Sequence, residues 1–169
     1  LGVCSNRPDA FAEKEREVVK LLLDRPEPGP LALTALVSHE VDAARSRNPE
    51  SDIEVDLPEH ARALGVPELS TALSELIENA IVHNDRERPS VTVSITDSDG
   101  GYLVAVADDG PAIPEIEVQA LAAEPDEVSQ LLHGRGMGLW LVQLVVQRSN
   151  GSLVVEPADE RGNVVTIRL

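Results

Sequence analysis

Three short runs hold most of the residues that could do chemistry: Glu75-Leu76-Ile77-Glu78-Asn79, Asp108-Asp109-Gly110-Pro111 and Gly134-Arg135-Gly136-Met137-Gly138. The Asn79 side-chain oxygen is a hard, neutral ligand of the kind Mg²⁺ accepts while it keeps waters and phosphate oxygens. Glu75 lies one helical turn earlier on the same face, where a carboxylate could orient or deprotonate a nucleophile. Asp108 follows an apolar alternating run, and a carboxylate at a strand end can accept a hydrogen bond from a purine exocyclic amine. Gly110 would let backbone approach a ring closely. Gly134, Gly136 and Gly138 leave bare N–H groups ahead of a helix, which makes an anion site, and Arg135 could add a charged contact to phosphate. Each run also has an ordinary reading: a solvated polar pair, an Asp-Gly-Pro turn, and a flexible loop with a helix cap. Their shared order and context argue for a metal, a purine and a triphosphate held together.

The elements that must position these residues can be read from periodicity. Pro67 to His83 keeps a 3.6 period through Leu69, Leu73, Leu76, Ile77, Ala80 and Ile81, which predicts a helix carrying the first run. Val91–Thr96 and Tyr102–Ala107 alternate about the turn Asp97-Ser98-Asp99-Gly100-Gly101, a hairpin that delivers Asp108. Met137 to Arg148 predicts an apolar helix opening at the glycine loop. Further helices are expected at 10–23 and 31–47, a strand at Ile53–Leu57, and a closing hairpin of Ser152–Glu156 with Asn163–Leu169. Residues 115–132, acidic and alanine-rich with Pro125, predict one or two short helices in a mobile connection. Arg25-Pro26-Glu27-Pro28-Gly29-Pro30 is a breaker-rich linker. The order fits a two-layer α/β sandwich, a mixed sheet of about five strands with helices on one face.

Composition bounds the rest. The 169 residues carry 30 acidic and 14 basic side chains, a net charge of −16, with Lys14 and Lys20 the only lysines. Such a surface repels a phosphate backbone, so nucleic acid is not an expected partner. The acid-rich, lysine-poor balance is that of a cytosolic protein from a salt-loving organism. Cys4 is the single cysteine, which excludes an internal disulfide and a cysteine-rich metal site. No apolar run approaches the roughly 18 residues of a membrane span, and no signal peptide is visible. Cytoplasmic is the default, and a first residue that is not Met points to an excised piece.

Together the runs resemble the N, G1 and G2 boxes of the catalytic ATP-binding domain of sensor histidine kinases, in the GHKL superfamily. The matching stretches are Glu75–Asn84, Val106–Pro114 and Gly134–Leu141, and the likeness covers about residues 31–169, including the closing hairpin with Gly162. The resemblance implies a Bergerat-type fold, ATP and Mg²⁺ as ligands, and phosphoryl transfer to a histidine. It implies that Asn79 ligates magnesium and that Asp108 binds adenine with Gly110 beside the ring. Gly134, Gly136 and Gly138 would close over the phosphates at the end of a lid of about 115–136, Arg135 and Met137 would contact ATP, and Glu75 would hold the position of the general base. His83, Ala112 and Asn163 would line the nucleotide pocket. The implied partners are a histidine-bearing dimerisation domain and a response regulator, with a homodimer in the full-length protein. Leu1–Leu22 weakly resembles the end of a GAF-type sensor domain, so 1–25 is read as a signalling helix or remnant, 26–30 as linker and 31–169 as the ATP-binding domain.

Three positions depart from the family pattern. Ala112 replaces a second G1 glycine, Val82 stands where a phosphate-contacting lysine is frequent, and Asn163 where threonine is common. Ser38-His39-Glu40 looks like a phosphoacceptor, but Val41-Asp42-Ala43-Ala44-Arg45 lacks the arginine and proline that usually follow. Only 40 positions separate His39 from Asn79, too few for a dimerisation hairpin plus the intervening strand. His39 is read as a helix-surface residue, His60 and His133 have no assigned role, and Trp140 is expected in the core. Two alternatives remain open: an anti-sigma-type serine kinase and a catalytically inactive ATP-binding interaction module.

Overall fold

A computed structural model describes residues 8–122 and 137–169. Helix α1 (Pro8–Asp24) precedes strand β1 (Gly29–Ala32), helix α2 (Leu33–Arg47), strands β2 (Asp52–Asp56) and β3 (Arg62–Gly65), and helix α3 (Leu69–Val82). Strands β4 (Ser90–Ser98) and β5 (Gly101–Asp108), helices α4 (Glu115–Ala120) and α5 (Met137–Arg148), and strands β6 (Ser152–Pro157) and β7 (Asn163–Arg168) complete the described elements.

Five strands form one mixed sheet in the order β2-β4-β5-β7-β6, with β2 parallel to β4 and the other pairs antiparallel. The period-2 pattern explains which face is covered. Val91, Val93 and Ile95 of β4, Val104 and Val106 of β5, and Val165 and Ile167 of β7 are buried, whereas Thr92 and Thr96 face solvent. The buried row packs beneath α3 and α5, whose Leu73, Leu76, Ile77, Leu141 and Val145 belong to the same core. Trp140 is 7% exposed and belongs to that core, as its apolar run predicts. Branched aliphatics fill the space that aromatics would occupy in a more typical core. Ile77→Ala, at a fully buried site, should therefore cost about 2–5 kcal/mol in urea unfolding, because the shell cannot collapse onto the vacated volume.

The expected helices and the two hairpins are present, with ends within two or three residues of their sequence bounds. The turn of the β4–β5 hairpin is tighter than the five-residue run implied: Ser98 pairs with Gly101, and Gly100 takes φ +90°. A small antiparallel sheet of β1 with β3 is an addition. Gly29 and Pro30, in the breaker-rich stretch, are strand residues, and Arg62–Gly65 has no alternation to mark it. Proline is tolerated there because a two-stranded sheet has open edges. Helix α2 starts two residues later than expected, since Leu31 and Ala32 belong to β1. In the connection after β5, α4 is the one helix among the described residues, and 123–136 lie outside them.

This architecture sets the site. The carboxyl end of β5, the entry to β7 and the end of α3 come together at one end of the sheet. Asp108 sits opposite Asn163 in the β5–β7 ladder.

Candidate functional site

Asp108 is the last residue of β5, half-buried, and its carboxylate is held from two sides. The Gly110 N–H donates to Oδ1 at 2.8 Å, and Asn163 Nδ2 reaches Oδ1 at 3.2 Å and Oδ2 at 3.3 Å. Asn163 is only 5% exposed and fully engaged: Nδ2 also donates to the Pro111 carbonyl at 2.9 Å, and Oδ1 accepts from the Ile113 N–H at 2.9 Å. One carboxamide thus fixes Asp108 and the backbone on either side of Ala112. Ala112 itself is exposed.

Burial pushes the Asp108 carboxyl above the ordinary carboxylate range, outweighing the Gly110 and Asn163 hydrogen bonds, and the neighbouring Asp109 charge adds to the rise. Each oxygen of an ionised carboxylate can accept two hydrogen bonds, so the Asp108 carboxylate keeps acceptor capacity beyond its contacts with Gly110 and Asn163. This acceptor suits a ligand that brings an N–H. Gly110 is buried, and a Cβ there would meet Asp108 Oδ1 at 3.1 Å and the Asn84 amide at 3.3 Å. The cradle is closed by the glycine itself.

Asp109 has the opposite character. Its small burial raises its pKa, but the Asn84 amide, the Ser90 N–H and the Arg86 guanidinium together pull it below the ordinary range. Asn84 Nδ2 donates to Oδ1 at 2.8 Å, the Ser90 N–H donates to the same atom at 3.0 Å, and Arg86 Nε lies 2.9 Å from Oδ2. Asn84 also reaches back to the Ala80 carbonyl at 3.5 Å, so the end of α3 is tied to the turn after β5.

Helix α3 carries Glu75 and Asn79 four residues apart, hence on one face, with His83 as its C-cap. Glu75 and Asn79 are partly buried. His83 is exposed at the helix end, where its N–H donates to the Asn79 carbonyl at 3.2 Å. Glu78 faces elsewhere, paired with Arg47 at 2.9 Å. Val82 is 66% exposed, so its place in the pattern is a surface position without a charge. Met137 and Gly138 open α5 as expected, whereas Gly134, Arg135 and Gly136 lie outside the described residues. His39 and His60 are exposed and His133 is outside the described residues. Among the described residues no group of three His, Cys, Asp or Glu side chains could hold a metal. No helix among them is long and apolar enough to cross a membrane.

The structure therefore joins Asp108, Gly110 and Asn163 directly, and Ala112 through the Ile113 backbone. Sequence reasoning missed the Asn84–Asp109–Arg86 set. The doublet Asp108-Asp109 and an asparagine just past a helix end are the signals that could have found it.

The fold has counterparts. Residues 66–169 match the model of the histidine kinase-, DNA gyrase B-, and HSP90-like ATPase family. The signal transduction histidine-protein kinase AfsQ2 of Streptomyces coelicolor is 31% identical over 126 residues, covering 70% of this chain and 22% of that protein. The sensor-type histidine kinase PrrB of Mycobacterium leprae is 28% identical over 142 residues, covering 83% and 31%. The chain thus spans about a fifth to a third of the length of the curated relatives it matches. Among solved structures, the catalytic domain of histidine kinase ThkA superposes with TM-score 0.71 at 19% identity, covering 85% of this chain and 97% of that one. The ATP-binding domain of PrrB from Mycobacterium tuberculosis gives 0.66 at 23%, covering 85% and 97%. Both share the open, helix-backed sheet. With a model match over more than half its length, the chain belongs to the histidine kinase-, DNA gyrase B- and HSP90-like ATPase family.

Proposed function

We propose that this chain is the ATP-binding catalytic part of a two-component sensor histidine kinase. The observation that carries the reading is the half-buried Asp108 at the strand end, braced by Asn163 and Gly110, in a chain of this ATPase family. Its free acceptor capacity suits the exocyclic amine of adenine and disfavours guanine, which presents an oxygen at the same place. Asn79 is the residue we assign to Mg²⁺, as a neutral hard-oxygen donor one turn from Glu75. When bound, the ion would neutralise phosphate charge during transfer. The chain's own share is positioning: Asp108 orients the base, Asn79, Glu75 and the capping His83 border the phosphates, and the glycines Gly134, Gly136 and Gly138 with Arg135 and Met137 would close over them.

The acceptor would be a histidine on a dimerisation domain, with a response regulator downstream, a homodimer as the working unit and the cytoplasm as its place. The alternative is a serine-directed kinase of the same superfamily. Phosphotransfer from γ-labelled ATP separates the two. Acid-labile, base-stable label on a histidine-bearing dimerisation domain supports the first reading; acid-stable label on a serine-bearing partner supports the second. Asn79→Ala should reduce the Mg²⁺ dependence of nucleotide binding to near nothing while the unfolding midpoint stays close to the parent's, since Asn79 is only partly buried. Undiminished Mg²⁺ dependence would remove the metal assignment.

A further inference from the structure

The turn after β5 carries two adjacent carboxylates, and only Asp108 faces the proposed base site. Asp109 instead gathers three donors from a single loop: the Asn84 amide at 2.8 Å, the Ser90 N–H at 3.0 Å and the Arg86 guanidinium at 2.9 Å. Arg86 Nε also reaches the Asp109 carbonyl at 3.3 Å, and the Arg86 N–H donates to Asn84 Oδ1 at 3.0 Å. The same loop is held a second time, by Asp85 against Arg161 at 2.6 Å, two residues ahead of Asn163. Loop 84–90 is therefore fastened both to the neighbour of Asp108 and to the strand entry that supplies Asn163. Exposed ion pairs contribute little by charge alone. Three directed hydrogen bonds on one carboxylate do more, because they fix geometry.

We propose that Asp109 is a positioning residue for nucleotide binding, acting through Asn84 and the loop 84–90 to hold the end of α3 in register with Asp108 and Gly110. The contact geometry explains the reach. Asn84 bridges Asp109 to the Ala80 carbonyl, the residue after Asn79, and the Asn84 amide packs at the position a Gly110 side chain would take. If the loop swings away, the carboxylate that reads the base and the helix that borders the phosphates lose their common reference. Asp109 needs no contact with the ligand to matter.

The inference rests on the ATP-binding reading, and the test separates the two. Mg·ATP binding is measured by titration for the parent chain, Asp109→Ala, Asn84→Asp and the reciprocal pair Asn84→Asp/Asp109→Asn. Asp42→Ala, in the exposed pair with Arg45, serves as control. Asp109→Ala should raise Kd about tenfold or more, the scale of a lost charge-assisted bond. Asn84→Asp should do at least as much, since two carboxylates then meet where an amide met one. The reciprocal pair rebuilds the 84–109 amide–carboxylate bond with the groups exchanged but not the donation to the Ala80 carbonyl, so it should bind severalfold more tightly than Asn84→Asp while staying weaker than the parent. A purely structural residue would shift the unfolding midpoint without this recovery of affinity. Should Asp109→Ala fail to fold, Asp109→Asn takes its place with the same expected direction. Affinity within about twofold of the parent for the single variants, or a reciprocal pair no better than Asn84→Asp alone, overturns the positioning role. A parent chain that binds no Mg·ATP overturns the underlying reading, and this inference with it.

Discussion

Asp108→Asn should weaken adenine-nucleotide binding by about 10- to 100-fold, the range expected when a buried acceptor becomes a donor facing a donor. The carboxamide can keep its oxygen on the Gly110 N–H and Asn163 Nδ2, which leaves its NH₂ turned towards the base site. Fold stability should move the other way. Burial holds the Asp108 carboxyl above its unfolded value, so the folded state favours the protonated form. The stabilisation belonging to that form is complete below the unfolded pKa and is lost as pH rises through the folded one. At neutral pH the parent carries that cost and the asparagine variant does not. The variant's advantage in unfolding midpoint should therefore be larger at pH 7 than at pH 4. Asp109 gives the reverse sign: its lowered pKa contributes stability present above the unfolded value and lost as pH falls through the folded one. A variant that bound as tightly as the parent, or that lost stability increasingly towards neutral pH, would contradict the assignment of Asp108.

Gly162→Ala is expected to be among the most damaging single-methyl additions in the chain. Gly162 has φ +111°, a conformation L side chains rarely adopt, and it enters β7 directly against β5. A Cβ there would overlap the Asp108 carbonyl oxygen and come within 2.7 Å of the Asp108 carbonyl carbon and 3.0 Å of Asp109 Cα. Neither neighbour is the end of a flexible side chain, so the backbone of the β5–β7 pair must part. The cost should exceed the roughly 1–3 kcal/mol of backbone strain alone. Because Asn163 is the next residue, nucleotide affinity should fall with stability. Gly29, which has open space around it and ordinary φ, is the natural control: Gly29→Ala should leave both unchanged. Urea unfolding and nucleotide titration on the two variants check this. Equal behaviour of Gly162→Ala and the parent would mean that β7 does not approach Asp108 as described.

The parts of the fold that were legible in the sequence are those in which one surface faces the core. α3 repeats Leu69, Leu73, Leu76 and Ile77 at helical spacing, and β4 and β5 alternate, so side-chain pattern and burial coincide. Asp108 was legible because a carboxylate directly after an alternating run must sit at a strand end. The small β1–β3 sheet was not, because Pro30 and Gly29 read as breakers and Arg62–Gly65 carries no period. It is held by pairing with a partner 30 to 36 residues away, from Ala32 with Arg62 to Gly29 with Gly65, and local propensity holds no record of that. The Asn84–Asp109 bond spans 25 residues and is polar and half-exposed, so no hydrophobic pattern announces it. Asn163 shows the limit from another side. Its type and place in the family pattern made it a pocket candidate, but its fourfold engagement with Asp108, Pro111 and Ile113 exists only once β5 and β7 pair.

Titration of the chain with Mg·ATP in high salt is the most direct test of the central claim. Saturable one-site binding is expected, weakened when Mg²⁺ is removed and much weaker for GTP, whose base offers Asp108 an oxygen instead of an amine. Absence of binding, or equal binding of ATP and GTP, would contradict it.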